Sequence, residues 1–355
     1  MPTDCERLPG HLTRDQTQAV ASGKPRGIHG ARVSRMGLRL AAAAAVIAFC
    51  AAANAAGEQA YPAKPVRLVV AFAPGGFADT VARVVGQKLG DRLGQPFLVE
   101  NRPGAGGNIA AKYVAESAPD GHTLLAHTAA SAINVTLYER PGFDFLNDLA
   151  PVANTGSSPG LFAVLVSHPA KDLRDLIRMS EGRRLTYATA GVGTSSHISA
   201  DYIFRVASGR DAVHVPFKGG GPAAVAVLGN QIAVLSSSSN ALPYIRQGRM
   251  KALAVSSLTR IEGLPDVPTV AELGFPGYEE RSWVGIFAPA KTPSAVVERL
   301  NVEINRILAL PEVKASLASQ GMDVHPGSAA AFAQYVRGEV AKWAKMVKST
   351  GVTVE

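Results

Sequence analysis

From Val66 to Ala73 every residue but Arg67 is apolar, the pattern of a strand buried on both faces of a parallel sheet. Phe77, Val81, Val84, Val85, Leu89 and Leu93 then recur at helical spacing, with Arg83, Gln87, Lys88 and Asp91 between them. Short strands are predicted at Phe97–Val99 and Thr123–Ala126, a helix at Asn108–Ser117, and a turn at Pro119-Asp120-Gly121. This order is βαβαβ, an α/β fold. After a looser Gly/Ser/Pro stretch at Thr155–Gly160 the alternation resumes. Strands are predicted at Leu161–Val166, Leu185–Ala190, Val213–Phe217, Gln231–Leu235 and Met250–Val255. Helices fall at Lys171–Met179, after GVGTSSH through Val206, at Ala223–Leu228 and around Ala241–Gln247. Val284–Ala288 is a last strand, followed by helices Pro293–Leu310, Pro311–Gln320 and Ser328–Thr350. The length suits two α/β lobes of ~100 or more residues each.

The N-terminus has a different pattern. Arg32, Arg35 and Arg39 lead into LAAAAAVIAFCAAANA, which ends on the small-residue pattern Ala53-Asn54-Ala55. Basic residues, a short apolar core and an A-x-A site are the layout of a secretory signal peptide, here 36–55, cleaved after Ala55 or Ala56. The apolar core is shorter than the ~20 residues a membrane span needs. Residues 1–35 carry no periodic apolar pattern and read as an over-extended gene start, with Met36 the initiator. Removing residues 1–55 lowers the formal charge from +8 to +4, because 29 basic residues then face 25 acidic ones. That balance, with no basic run, argues against a nucleic-acid partner. Both cysteines, Cys5 and Cys50, leave with the leader, so the mature chain has neither disulfide nor cysteine metal site. Export without cysteines points to a bacterial periplasm.

Four loops at predicted strand ends concentrate small and polar residues: PGGFADT (74–80), HTAASAIN (127–134), GVGTSSH (191–197) and SSSSN (236–240). Ligands of open α/β sheets collect outside the carboxyl ends of strands. A helix beginning there offers unpaired N–H groups and the positive end of its dipole. At Gly75 and Gly76 no Cβ keeps a carboxylate from those groups. The same residues would equally serve a tight corner, with Asp79 capping the helix.

Other chemistry is weakly supported. Ser195, Ser196 and His197 lie together, but helix neighbours do not face each other and no G-x-S-x-G elbow occurs. Thr194 and His197 share a face; they could both reach a ligand, or serve as an N-cap and a backbone-satisfied ring. His122 and His127 flank a strand at a spacing that sends them to opposite faces. His168, His214 and His325 lack partners at ligand spacing, so no metal site is expected. Gly104, Gly106 and Ile109 break G-x-G-x-x-G, and no phosphate-binding P-loop occurs. Lys218 in KGGGP reads as an exposed loop lysine, and Trp283 and Trp343 as packing residues, Trp283 also as a candidate cleft wall.

YPAKPVRLVVAFAPGGFADTVAR, GQPFLVENRPGAGGNIAAKYVA, PDGHTLL, AGVGTSSH, HVPFKGGGPA, LPDVPTVAELGFPGYE and SWVGIFAPAKTP together resemble the Bug-type extracytoplasmic receptors of tripartite tricarboxylate transporters, over residues 61–355. The resemblance implies a two-lobed periplasmic binding protein of the Venus-flytrap type, with lobe one at 61–160 plus 286–355 and lobe two at 161–285. It implies no catalysis and no cofactor. A small organic carboxylate would be captured between the lobes and delivered to a large and a small membrane subunit, by a monomer. Carried over from the family, the ligand would meet Gly75, Gly76, Phe77 and Ala78, with Asp79 and Thr80 bracing the loop. Opposite would stand Thr194, Ser195, Ser196 and His197, with Thr128, Ala130 and Ser131, and Ser238 from the serine loop. Family members often carry an acid where this chain has Ser236–Ser239, so an amino-acid ligand is disfavoured. The alternatives are a periplasmic α/β hydrolase and a solute sensor for a two-component system.

Overall fold

A computed structural model describes residues 61–354; the leader, its cleavage site and both cysteines lie outside them. In chain order the first sheet-forming elements are β1 (Val66–Val70), α1 (Phe77–Leu93), β2 (Phe97–Asn101), α2 (Asn108–Ala115), β3 (Thr123–Thr128), α3 (Ala130–Leu137), α4 (Phe145–Asp148) and β4 (Leu149–Pro159). There follow β5 (Leu161–Leu165), α5 (Leu173–Met179), β6 (Leu185–Thr189), α6 (Ser195–Asp201), a π-helical turn at Tyr202–Ala207, β7 (Ala212–Pro216), α7 (Gly220–Leu228), β8 (Val234–Ser237), α8 (Leu242–Arg246) and β9 (Met250–Val255). The chain closes with β10 (Arg281–Pro289), α9 (Ser294–Ala309), α10 (Pro311–Ala318) and α11 (Ala329–Thr350).

Two five-stranded sheets result, ordered β2-β1-β3-β10-β4 and β7-β6-β8-β5-β9. In the first, β1 runs parallel to β2 and β3 while β10 is antiparallel to β3 and β4. In the second, β6 runs parallel to β7 and β8 while β5 is antiparallel to β8 and β9. The two orders are the same topology read twice, with β10 and β5 as the strands that arrive from the other sheet. The chain crosses between them at Gly160 and before Arg281. The loops after β1 and β6 therefore occupy equivalent places, each where the strand order reverses, which is where open sheets leave a crevice.

The core is what the apolar pattern predicts. Val66, Leu68, Val69 and Val70 of β1 are almost wholly buried, as are Val81, Val85 and Leu89 of α1. Each such side chain contributes about 1.5–3 kcal/mol on leaving water. Ile198 of α6 packs into the first lobe's core, and Met346 of α11 touches the cores of both lobes.

Three local expectations change. The stretch at Thr155–Gly160 is not loose: up to Pro159 it continues β4, paired with β10 from Arg281 onward. Its residues are small because Asp323 bridges to Ser157 there; a Cβ on Gly156 would lie 2.2 Å from the Asp323 carbonyl oxygen. HTAASAIN is a strand end followed by α3, six of whose eight residues are buried. KGGGP is loop only to Gly219, and α7 starts at Gly220.

Candidate functional site

The turn between β1 and α1 is held by its own acid. Gly75 has a φ of +75°, a left-handed conformation natural to glycine. Its N–H donates to Asp79 Oδ2 at 3.0 Å. The same buried carboxylate receives Arg83 through Nε and a terminal nitrogen, both at 3.0 Å, and Asn101 Nδ2 at 2.8 Å. Burial would raise the Asp79 pKa, but the bonds from Arg83, Gly75 and Asn101 outweigh it and hold the acid below its ordinary value. Gly76 is the N-cap of α1, and among the described residues no backbone acceptor takes the N–H groups of Phe77 and Ala78.

The equivalent turn in the second lobe carries a different cap. Thr194 Oγ1 accepts from the His197 N–H at 3.3 Å and donates to the Gly191 carbonyl at 2.7 Å. Ser236 Oγ at the end of β8 donates to the Ser196 carbonyl at 2.9 Å, pinning the start of α6. A third helix end, Gly220 at the start of α7, comes close as well. Ala73 N–H donates to the Lys218 carbonyl at 2.8 Å and Asn240 Nδ2 to the Gly75 carbonyl at 3.3 Å, so the two lobes touch through these loops.

Between them lies a cavity of about 30 Å³. Gly76, Phe77 and Ala78 line it from one lobe, Thr194, Ser195 and Ser196 from the other, with Thr128 and Ser238 at its sides. Its wall holds no ionisable side chain. The polarity comes instead from hydroxyls and from the starts of α1, α6 and α7. Such an arrangement suits an anion that is held by hydrogen bonds and dipoles and released unchanged.

Other expected site residues stand apart from that wall. Gly75 and Thr80 border a neighbouring groove with Asn240, and Asp79 sits behind the turn. Ser131 donates to the Thr128 carbonyl and lines a separate pocket; Ala130 is buried. His197 faces away: its Nδ1 accepts from Gly193 N–H at 3.3 Å, and its ring stacks on His214 at 3.8 Å between centroids. Burial lowers the two rings to about 4 and about 3, the second also through its neighbour. Neither Ser195 nor Ser196 hydrogen-bonds the His197 ring, and Ser196 Oγ lies 3.0 Å from Thr194 Oγ1 instead. Trp283 is no cleft wall: it is wholly buried, with Nε1 on Glu339 Oε2 at 3.0 Å. Phe72, Ala190, Gly220, Ser237, Asn240 and Ser282 complete the lining. Of these, Gly220, Ser237 and Asn240 lay in loops already singled out, whereas Ser282 opens the quoted SWVGIFAPAKTP stretch without having been marked as a site residue. Among the described residues no cluster of three His, Cys, Asp or Glu could hold a metal, and no helix is long and apolar enough to cross a membrane.

Two lobes of repeated topology, with a polar cavity between equivalent strand-end turns, define a solute-binding protein. The sequence matches the model of the tripartite tricarboxylate transporter family receptor over residues 81–352, and the chain belongs to that family of receptors. It is 35% identical over 303 residues to protein BugT of Bordetella pertussis, covering 83% of this chain and 92% of that one. Among solved structures, the periplasmic binding protein BugD superposes with a TM-score of 0.80 at 32% identity, over 83% of this chain and 100% of BugD. A Rhodopseudomonas palustris protein solved with adipate gives a TM-score of 0.79 at 32% identity, over 82% and 99% of the two chains. MatC from Rhodopseudomonas palustris, with bound malate, gives 0.76 at 35%, over 81% and 100%.

Proposed function

We propose that this chain is exported by its 36–55 leader to the periplasm, where it captures a small organic carboxylate without transforming it and delivers it to the large and small membrane subunits of a tripartite transporter. The observation that carries this reading is the wall of the interlobe cavity, built from three helix starts and hydroxyls with no charged side chain. The carboxylate is held by the N–H groups of Phe77 and Ala78 and answered from the other lobe by Ser195 and Ser196. Asp79 and Thr80 act as braces, and His197 supports its loop from behind. Each charge-assisted bond contributes ~1.5–3 kcal/mol, so three or four reach the ~8 kcal/mol of micromolar binding. Adipate and malate, the ligands of two neighbours, are the chemical type expected. The absence of an acid from the cavity wall favours des-amino acids over amino acids. Lobe one runs to Gly160 and resumes at Arg281, earlier than the expected 286 because β10 pairs with β4 from Arg281, and the mature chain acts as a monomer.

A thermal-shift screen of mono-, di- and tricarboxylates on residues 56–355, followed by calorimetry, tests the reading. One or a few acids should raise the melting temperature and be recovered unchanged. Preference for aspartate or glutamate over their des-amino analogues would overturn the ligand class. Labelling of Ser195 or Ser196 by a fluorophosphonate would overturn the receptor in favour of a hydrolase.

A further inference from the structure

The two crossings between the sheets are tied by one serine. Gly160 N–H donates to Ser256 Oγ at 2.6 Å, Ser256 N–H to the Gly160 carbonyl at 2.9 Å, and Glu280 N–H to the Ser256 carbonyl at 2.9 Å. Into this knot the chain buries the Glu280 carboxyl, only 2% exposed. The group packs directly on Gly160, where a Cβ would fall 2.2 Å from Oε2. Ser256 Oγ has one proton, yet both the Glu280 carbonyl and Oε2, the latter at 3.1 Å, stand as acceptors within its reach. Oε1 has no partner among the described residues.

A protonated carboxyl resolves this competition. Its O–H donates to Ser256 Oγ, which donates to the Glu280 carbonyl and accepts from Gly160, within the capacity of a hydroxyl. Ionised, the carboxylate has Oε2 sharing the Ser256 proton with a carbonyl and Oε1 without a donor at hydrogen-bond distance, leaving the Ser195 hydroxyl as its remaining support in a dry site, which is costly. The groups facing it come from four elements. The Ser195 hydroxyl on α6 and Ser256 beyond β9 favour the charged form, as does Lys342 on α11, while Glu339 on α11 opposes it. Lys342 is half exposed and lies 3.5 Å from Glu339. Tyr278, on the same loop as Glu280, is kept neutral by burial and by that acid. The sum, dominated by burial, raises the Glu280 carboxyl above its ordinary value.

Ser195 connects this group to the cleft, since it lines the cavity and its hydroxyl faces Glu280. We propose that Glu280 has to be uncharged for the cleft to hold an anion, so the receptor takes up its carboxylate linked to one proton; this rests on the carboxylate reading above. A charge behind Ser195 would repel the ligand in a cavity that has no cation to answer it. His197 and His214 remain neutral above about pH 6, and Asp79 remains ionised, so neither masks the titration.

Calorimetry with adipate and malate from about pH 7 to about pH 9, where both are essentially fully ionised, tests this. Above the Glu280 pKa the dissociation constant should rise towards tenfold per pH unit. Titrations in two buffers of different ionisation heat should show proton uptake by the wild type, a readout that needs no variant. Glu280→Gln, which keeps the shape and a donor for Ser256, should bind with a flat pH profile. A flat wild-type profile without buffer-dependent heat, or equal slopes in wild type and Glu280→Gln, overturns the inference while leaving the receptor intact. Failure of the wild type to bind any carboxylate at any pH overturns the receptor reading, and this inference with it.

Discussion

The N–H of Gly75 donates to the carboxylate of Asp79 at 3.0 Å, so the first glycine of the turn has spent its donor inside the protein. Gly75 makes the left-handed corner, and the free donors begin one residue later. The corner is thus made at Gly75, and the N–H groups left for a ligand are those that follow it.

Asp79→Ala removes the acceptor of Gly75, Arg83 and Asn101 together. Arg83 is half exposed and its pair is screened, so the buried bonds to Gly75 and Asn101 carry most of the effect. The expected loss is about 2–3 kcal/mol in urea denaturation, with at least about tenfold weaker ligand binding. Because the folded carboxyl lies below its ordinary 3.8, its stabilisation is complete above that value and is lost as pH falls through the folded pKa. Unchanged affinity in a folded Asp79→Ala would show that the turn needs no brace.

Gly76 is a different case from Gly75. Its φ is −86°, and a Cβ there would meet Ala73 O at 3.4 Å and Gly220 N at 3.7 Å, ordinary contacts. Gly76→Val should therefore fold with little change in melting temperature, yet its methyl groups enter the cavity and binding should fall by about 100-fold or more, some 3 kcal/mol. Gly75→Val, forced into the left-handed region, should instead lose about 1–2 kcal/mol of stability. Calorimetry beside thermal melting separates the two, and wild-type affinity in Gly76→Val would remove this turn from the site.

Much of this architecture is legible along the chain, because β1 is buried on both faces and α1 carries a clean 3.6-residue stripe. What is hidden has physical reasons. Helix α3 is buried on nearly every side, so it has no polar face to mark its period. Residues Thr155–Pro159 look like a loop because close pairing with β10 and Asp323 demands small side chains. The turns that line the cavity are readable from glycine, helix start and position, and so is the Thr194 cap. The stacking of His197 on His214 and the burial of Glu280 against Gly160 are not, since both join residues from separate elements by contacts without a sequence spacing. Glu280, between Glu279 and Arg281, reads locally as one more surface charge.

The stacked His197 and His214 make stability depend on pH. Both rings ionise at 6.5 when unfolded but near about 4 and about 3 when folded. The unfolded chain then binds more protons below pH 6.5, so folding is strongest above that value and weakens as pH falls towards 4. The slope is about 1.4 kcal/mol per pH unit for each ring that titrates. Chemical denaturation between pH 7 and 4.5 should show this decline, and His214→Phe, which keeps a stacking ring without the charge, should flatten part of it. An identical slope in that variant would take the effect away from the pair.

Closure of the cleft rests on backbone meeting backbone. A Cβ on Gly221 would lie 3.0 Å from the Pro74 carbonyl and 3.2 Å from the Gly75 carbonyl carbon, while one on Gly219 would lie 3.1 Å from Ala73 N. The glycine tract 219–221 thus lets α7 approach the first-lobe turn, and the cavity between the starts of α1 and α6 keeps only about 30 Å³, room for a water or two. On the receptor reading proposed above, a solute larger than that enters this cavity with the lobes apart and is held as they come together. Gly221→Leu should hold them apart without disturbing either core, because its side chain meets only the opposite turn. Its melting temperature without ligand should stay within a few degrees of wild type. Its affinity should fall about 10- to 100-fold, since only the contacts of one lobe remain. Small-angle scattering should show the wild type contracting on adding its acid and Gly221→Leu failing to do so; equal contraction of both would show that the tract is not where the lobes meet.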